Sequence, residues 1–271
     1  MTAPRTSAFW KWLGRGICWA VVVYLVAPLP LIIGISFSSA QFLTFPPPGF
    51  SLQWYQKLFH DADWVASFLV SIEILLPTTI AATVLGTSAS YALWRMPGRF
   101  PQAISILMLA PIAVPAIISG AAMFMLFRTL GLFGSLTSLI IAHIVLTTPY
   151  VFITVSTGLK TLDPRLPAVA AILGATPSAT FRRVIAPLLA PAILSGALFG
   201  AVMSFDELVV SLFLSTPGLR PITVQMWSNV RADIDPTLAA VASVLFGFSF
   251  LALLLDSLLV RVRTRQKTGG A

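Results

Sequence analysis

The groups with most chemistry to offer in this 271-residue chain are carboxylates inside long apolar runs: Glu73, Asp206, Glu207 and Asp256. A charge at the centre of a bilayer helix costs about 2.5–3.5 kcal/mol on insertion scales, so such a residue faces a cavity or a partner. Asp206 and Glu207 are adjacent, in Ser204-Phe-Asp-Glu-Leu-Val-Val-Ser-Leu-Phe-Leu-Ser215. On a continuous helix they would diverge by about 100°. Two like charges in low dielectric call for a nearby cation, and a di- or polycationic solute would be one. Two readings of the pair stand: contact with such a solute on a translocation path, and a packing or gating role. Glu73 invites a similar pair, lining a path or pairing with another helix. Asp256 precedes Arg261 by just over a turn and Arg263 by about two, and reads as reaching toward one of them.

Other reactive constellations are missing from the sequence. No Gly-x-x-x-x-Gly-Lys-Ser/Thr phosphate loop occurs; Ser156-Thr-Gly-Leu-Lys-Thr161 lacks the Gly-Lys pair. Two histidines and one cysteine supply no metal-ligand spacing and no nucleophile–base arrangement. His143, alone in an apolar run, reads as hydrogen-bonded to a neighbouring helix, and Cys18 as a packing residue. The chain is therefore expected to be non-catalytic and to bind no cofactor of its own.

The elements that must position these acids are helices in a membrane. Residues are 57% hydrophobic and 10% charged, with mean hydropathy +0.92, beyond the range of soluble domains. A span needs about 20 apolar residues. Six stretches qualify, at 17–36, 65–93, 104–127, 136–159, 188–214 and 238–260, giving an all-α membrane protein read as one domain over 1–271. Pro111 and Pro115 in the third stretch, and Pro149 in the fourth, are expected kink sites. The first stretch, longer than a typical secretory signal core, reads as a retained span.

Basic residues sit in alternate connections: Arg5, Lys11 and Arg15; Arg95 and Arg99; Lys160, Arg165, Arg182 and Arg183; Arg261, Arg263, Arg265 and Lys267. The opposite connections hold Lys57, Arg128, Arg220 and Arg231, offset by Asp61, Asp63, Asp233 and Asp235. The positive-inside rule makes both termini and segment 160–187 cytoplasmic. The net charge of +8 is thus a topology signal, and no basic patch supports nucleic-acid binding. On the outward side, Phe45-Pro-Pro-Pro-Gly-Phe-Ser-Leu-Gln-Trp-Tyr55 predicts a short interfacial helix anchored by Trp54 and Tyr55. Met226 and Trp227 read as interfacial too. Gly196, Gly200 and Ser204 form a small-residue face for packing within the bundle or between subunits.

Segment 160–187 carries two helix-start signals in tandem. Asp163-Pro164 and Thr176-Pro177 each put a capping residue before proline, with Gly174 stopping the first helix and Pro187 the second. Two short surface helices of this kind suit a partner's cleft. The segment resembles the cytoplasmic coupling loop of permease subunits of binding-protein-dependent ABC importers. Their pattern is Glu-Ala-Ala, three residues, Gly, nine to eleven residues, then apolar-x-Pro. Gly174-Ala175 and Ile185-Ala186-Pro187 match its centre and end, and Ala170 and Ala171 fall in or beside its alanines. Ala168 stands at the glutamate position and Val169 after it, removing one charged contact expected to the ATPase.

That resemblance covers essentially the whole chain and implies a type I importer permease with six spans and a two-helix coupling loop. It implies a bacterial inner-membrane subunit, with ATP and Mg handled by a separate ATPase dimer. The other implied partners are a second, different permease, a periplasmic solute-binding protein and membrane lipid. Ala168, Ala170, Ala171, Gly174, Ala175, Arg182, Ile185 and Pro187 would form the ATPase contact. The first outward loop and the Asp206-Glu207 run look like the spermidine/putrescine branch, second-permease type. Permeases for aminoethylphosphonate, thiamine or ferric iron are the alternatives, and a self-sufficient secondary carrier is a further one, disfavoured because the two halves show no convincing repeat.

Overall fold

The structure is a computed structural model that describes residues 8–232 and 234–268, with side chains described for 12–232, 234–251 and 254. Arg5 and Asp233 lie outside the described residues, as do the side chains of Lys11, Asp256, Arg261, Arg263, Arg265 and Lys267. The described chain is nearly all helix. In order the elements are α1 (Ala8–Val26), α2 (Pro28–Ser36), α3 (Gln53–His60), α4 (Ala62–Arg95), α5 (Phe100–Ala113), α6 (Ala116–Thr129), α7 (Leu136–Leu159), α8 (Leu166–Ile172), α9 (Pro177–Thr180), a π-helical turn (Phe181–Ile185), α10 (Ala186–Phe205), α11 (Val209–Leu214), α12 (Ile222–Ala232) and α13 (Thr237–Thr268).

Four helical runs are long and apolar enough to cross a membrane: Trp12–Ser36, Ala62–Arg95, Leu136–Leu159 and Pro177–Phe205. The third expected span is α5 plus α6, bent by 97° between Ala113 and Ala116. Val114 is extended (φ −82°, ψ 128°), as a residue before proline prefers, and Pro115 starts the next helix. Pro149 lies inside an unbroken α7. The sixth expected span falls on α13, whose apolar part, described from Thr237 to Leu251, is shorter than the four runs above.

Residues fall into two compact units, 8–61 with Asn229–Phe248, and Ala62–Ser228 with the chain from Ser249 on. In the first, Ser38 and Phe50 pair as a short bridge, and α3 folds back beneath it. Trp54, expected at a lipid interface, is 5% exposed instead. Its indole N–H donates to the Ser38 carbonyl at 2.7 Å, while the Tyr55 and Ser36 hydroxyls share a 2.8 Å hydrogen bond. A buried carbonyl at the end of α2 needs a donor, and the indole supplies it. Lys57 forms an ion pair with Asp235 at 2.5 Å, and Asp235 also accepts from the Thr237 N–H at the start of α13.

The second unit is organised around α7, against which α4 and α10 pack. Gly86 of α4 and Gly196 and Gly200 of α10 all face Val151 of α7, which is fully buried. The small-residue face of α10 therefore packs within the chain. A methyl group at Gly86 would sit 2.8 Å from Val151 Cβ and 3.0 Å from the Phe152 nitrogen. Neither atom can rotate away, so the helices would have to separate. Gly86→Ala is expected to destabilise the fold by about 1–3 kcal/mol through overpacking, outweighing alanine's helix preference of up to about 1 kcal/mol. Gly247→Ala, with no atom within 4 Å of the added carbon, should be neutral or stabilising. Thermal unfolding of the purified protein in detergent distinguishes the two.

Candidate functional site

Two interruptions within the apolar helices meet at one cleft. The first is the α5–α6 bend. Pro115 has no N–H, so the Pro111 carbonyl lacks its helical donor four residues on. The second interruption corrects the sequence expectation: Asp206 and Glu207 do not lie on a continuous helix. α10 ends at Phe205, and α11 begins only at Val209. Between them Asp206 caps α10 with its N–H on the Val202 carbonyl (3.0 Å), and the Glu207 carboxylate accepts from the Val210 N–H (2.8 Å). A carboxylate that accepts a free backbone N–H in the first turn favours the start of a helix, which is the part Glu207 plays for α11.

The cleft is about 330 Å³ in volume. Residues 111–116 of the bend form one wall, Leu146, Thr147 and Tyr150 of α7 another, and Met203 and Glu207 complete it. Glu207 is the charged residue of this lining, half-buried, whereas Asp206 is exposed and outside it. Glu73 is exposed on α4 and is not part of the lining. The structure therefore separates the three candidate acids instead of gathering them. Tyr150, whose ring meets Phe199 edge-on at 5.3 Å, was missed by sequence reasoning; the Pro111–Pro115 spacing was the available signal for the cleft. A carboxylate, an aromatic ring and a carbonyl without its helical donor suit an organic cation.

Segment 160–187 departs from expectation at both ends of its helix pair. Asp163 does not cap α8: its carboxylate accepts from the Arg165 N–H (2.8 Å) in a tight turn, and α8 starts at Leu166 with Pro167 in its first turn. Gly174 does stop it, with φ +81°, the Gly174 N–H on Ala171 and the Ala175 N–H on Ala170. Only glycine takes that backbone cheaply. Thr176 caps α9 as expected, accepting from the Ala179 N–H at 3.2 Å. Pro187 terminates nothing. The Ala186 N–H bonds back five residues to Phe181, so the π-helical turn absorbs one extra residue just before the proline and the helix runs on into α10.

Ala168 and Ala171 are exposed and line a second cleft of about 320 Å³ with Trp94, Arg95, Pro164 and Pro167. Ala170 and Ile185 are buried, Ala175 half-buried, and Gly174, Arg182 and Pro187 exposed. Ile185 is locked in a core cluster with Ala82, Val151, Val155, Leu159 and Leu189. Val169, Ile172 and Leu173 are exposed to 52%, 85% and 81%, an apolar tip.

Four apolar helical runs able to cross a membrane, or five counting the bent pair, mark a polytopic membrane protein. The chain belongs to the family of binding-protein-dependent transport system inner membrane components, whose pattern matches residues 82–267. It is 32% identical to the putrescine transport system permease protein PotI of Escherichia coli (strain K12), over 84% of this chain and 86% of that one. It is 28% identical to the spermidine/putrescine transport system permease protein PotC of the same strain, over 95% and 97%. A bacterial ABC transporter involved in import of the acidic polysaccharide alginate shares the fold, with TM-score 0.71 over 96% and 98% of the chains at 15% identity. The fold is that of a type I ABC importer permease, and the chain is an inner-membrane transport component.

The Glu207 cap can be separated from any solute role. Glu207→Ala should lower stability by about 1 kcal/mol through loss of the Val210 acceptor, while Glu207→Gln keeps an acceptor oxygen and should stay close to the parent. Comparison of the two melting temperatures in detergent checks this.

Proposed function

We propose that this chain is the second permease of a polyamine importer, carrying putrescine or spermidine across the bacterial inner membrane by alternating access. The observation that carries the reading is Glu207, the charged wall residue of a cleft bounded by two broken spans. A polyamine presents ammonium groups separated by methylenes. One ammonium pairs with Glu207 while Tyr150 and the Pro111 carbonyl receive a second charge or the apolar stem. Asp206, exposed beside Glu207, and Glu73 act elsewhere on the route or at the contact with the second permease. The names of the relatives, putrescine and spermidine/putrescine permeases, support the same solute class.

The chain acts as a single transmembrane domain with both termini and segment 160–187 in the cytoplasm. A different permease chain, an ATPase dimer that binds ATP and Mg, and a periplasmic binding protein complete the assembly. The apolar tip Val169–Ile172–Leu173, Ala168, Ala171 and the flanking Arg182 meet the ATPase. From Pro177 to Phe205 the helix is one run of 29 residues, roughly 40 Å at the helical rise. Closure of the ATPases on α8 and α9 thereby moves the end of α10, where Asp206 and Glu207 begin. The solute's cleft opens and closes with that movement.

Uptake of labelled putrescine and spermidine is measured in cells lacking the gene, complemented with the parent chain, Asp206→Asn or Glu207→Gln. The parent should restore uptake. Glu207→Gln should lower it by about tenfold or more at equal complex abundance, with Asp206→Asn less affected. Failure of the parent to restore uptake of either polyamine would sink the polyamine assignment.

A further inference from the structure

The imidazole of His143 is 2% exposed in an otherwise apolar part of α7, and both its nitrogens are engaged. Nδ1 meets the Ser204 hydroxyl at 2.9 Å and Nε2 meets the Ser211 hydroxyl at 3.0 Å. Ser204 is in the last turn of α10 and Ser211 in α11. One ring thus reaches both sides of the break that carries Asp206 and Glu207. Both serines are buried as well, at 3% and 0% exposure. Three buried polar side chains from three helices satisfy one another, an arrangement that apolar packing does not require and that loses its balance if one member is removed.

The clasp and the cleft are consecutive turns of α7. Thr147, one turn beyond His143, lines the cleft with Glu207, and its hydroxyl donates to the His143 carbonyl at 2.7 Å. On the other helix Ser211 lies next to Val210, whose N–H holds the Glu207 carboxylate. We propose that His143 is a positioning residue of the solute path: it clasps the two halves of the broken fifth span and holds Glu207 toward the cleft. A neutral imidazole donates once and accepts once, and a serine hydroxyl does either, so the clasp closes with either tautomer. This inference rests on the reading of Glu207 as the contact for a cationic solute.

The test uses the complete transporter with its partner subunits, carrying His143→Leu, His143→Gln, Glu207→Gln or the Leu/Gln double change. Readouts are assembled complex, putrescine uptake and solute moved per ATP hydrolysed. His143→Leu should assemble normally, yet lose about tenfold or more in uptake, as small misplacements of a binding group do. Solute moved per ATP should fall with it. His143→Gln, which keeps a donor and an acceptor, should recover much of both. The double change should transport no less than Glu207→Gln alone, because both act through one carboxylate. Parental uptake by His143→Leu, or a double change whose loss is the product of the single losses, overturns the clasp. Should His143→Leu not assemble, His143→Asn, keeping one of the two hydrogen bonds, takes its place with the same expected direction. If the parent complex moves no putrescine, the polyamine reading falls separately. The clasp is then read from Met203→Cys on the cleft wall, in a Cys18→Ser background, labelled with a cationic thiosulfonate. A labelling rate altered several-fold by the His143 change supports it, and an unaltered rate overturns it.

Discussion

Close approach of three helices around Val151 is the constraint on which the rest of the second unit depends. Gly86 of α4 and Gly196 and Gly200 of α10 give up their side chains so that α7 can lie against both neighbours. Lipid offers no hydrophobic gain for apolar contact between helices, so tight van der Waals packing at small residues has to supply the association. Once that approach is made, a single face of α7 organises everything along it. His143, Thr147, Val151 and Val155 follow one another at four-residue intervals and are all buried. The lower part of this face packs the core beside segment 160–187, through Val155, Leu159 and Ile185. Its upper part supplies the polar contacts at the two broken spans.

Those breaks are costly in a membrane unless each freed backbone group finds a partner. The fifth span meets the requirement with one of its own side chains and one from α12. Glu207 accepts from Val210, and Thr223 donates to the Glu207 carbonyl at 3.3 Å. The third span instead bends at Val114–Pro115, and residues 111–116 line the cleft. The acids that looked anomalous in an apolar run are thus explained in two ways at once. Both lie in the break between two helices, where the Glu207 carboxylate helps restart the chain as helix and stands beside a cleft it shares with Thr147, Tyr150 and the bent backbone.

Much of this was legible in the residues. The apolar runs gave the helices, because their length and lack of charge allow little else in a bilayer, and Gly174 and Thr176 gave the helix stop and start between α8 and α9. What could not be read was whether a given proline breaks a helix. Pro115 ends one span and begins another half, Pro149 sits inside α7, and Pro187 is absorbed by a π-helical turn. A proline's effect depends on whether the carbonyl it orphans can be served by neighbours, which is a property of packing. The same limit hid the Asp206–Leu208 break: Phe-Asp-Glu-Leu reads as helix until the Val210 N–H is seen to be held by the side chain of Glu207. Trp54 was misplaced for a similar reason. An aromatic residue beside a proline-rich loop suits a membrane interface, but the unpaired Ser38 carbonyl drew it inward.

The survival of helix through Pro187 has a mechanical consequence. Had the proline ended the second coupling helix, α9 would be tethered to the fifth span by a flexible joint, and displacement at one end would be dissipated there. A continuous run from Pro177 to Phe205 transmits displacement because each hydrogen-bonded turn resists compression and bending. The π-helical turn lies at the foot of this rod, where Ile185 is anchored in the core. It places this irregular stretch at the end of the run farthest from the two acids, where a small local bend would displace the far end most. At that far end the helix stops, and the next residues are the two acids. On the function proposed above, displacement of the surface segment reaches the Glu207 carboxylate through this one helix, which packs against α7.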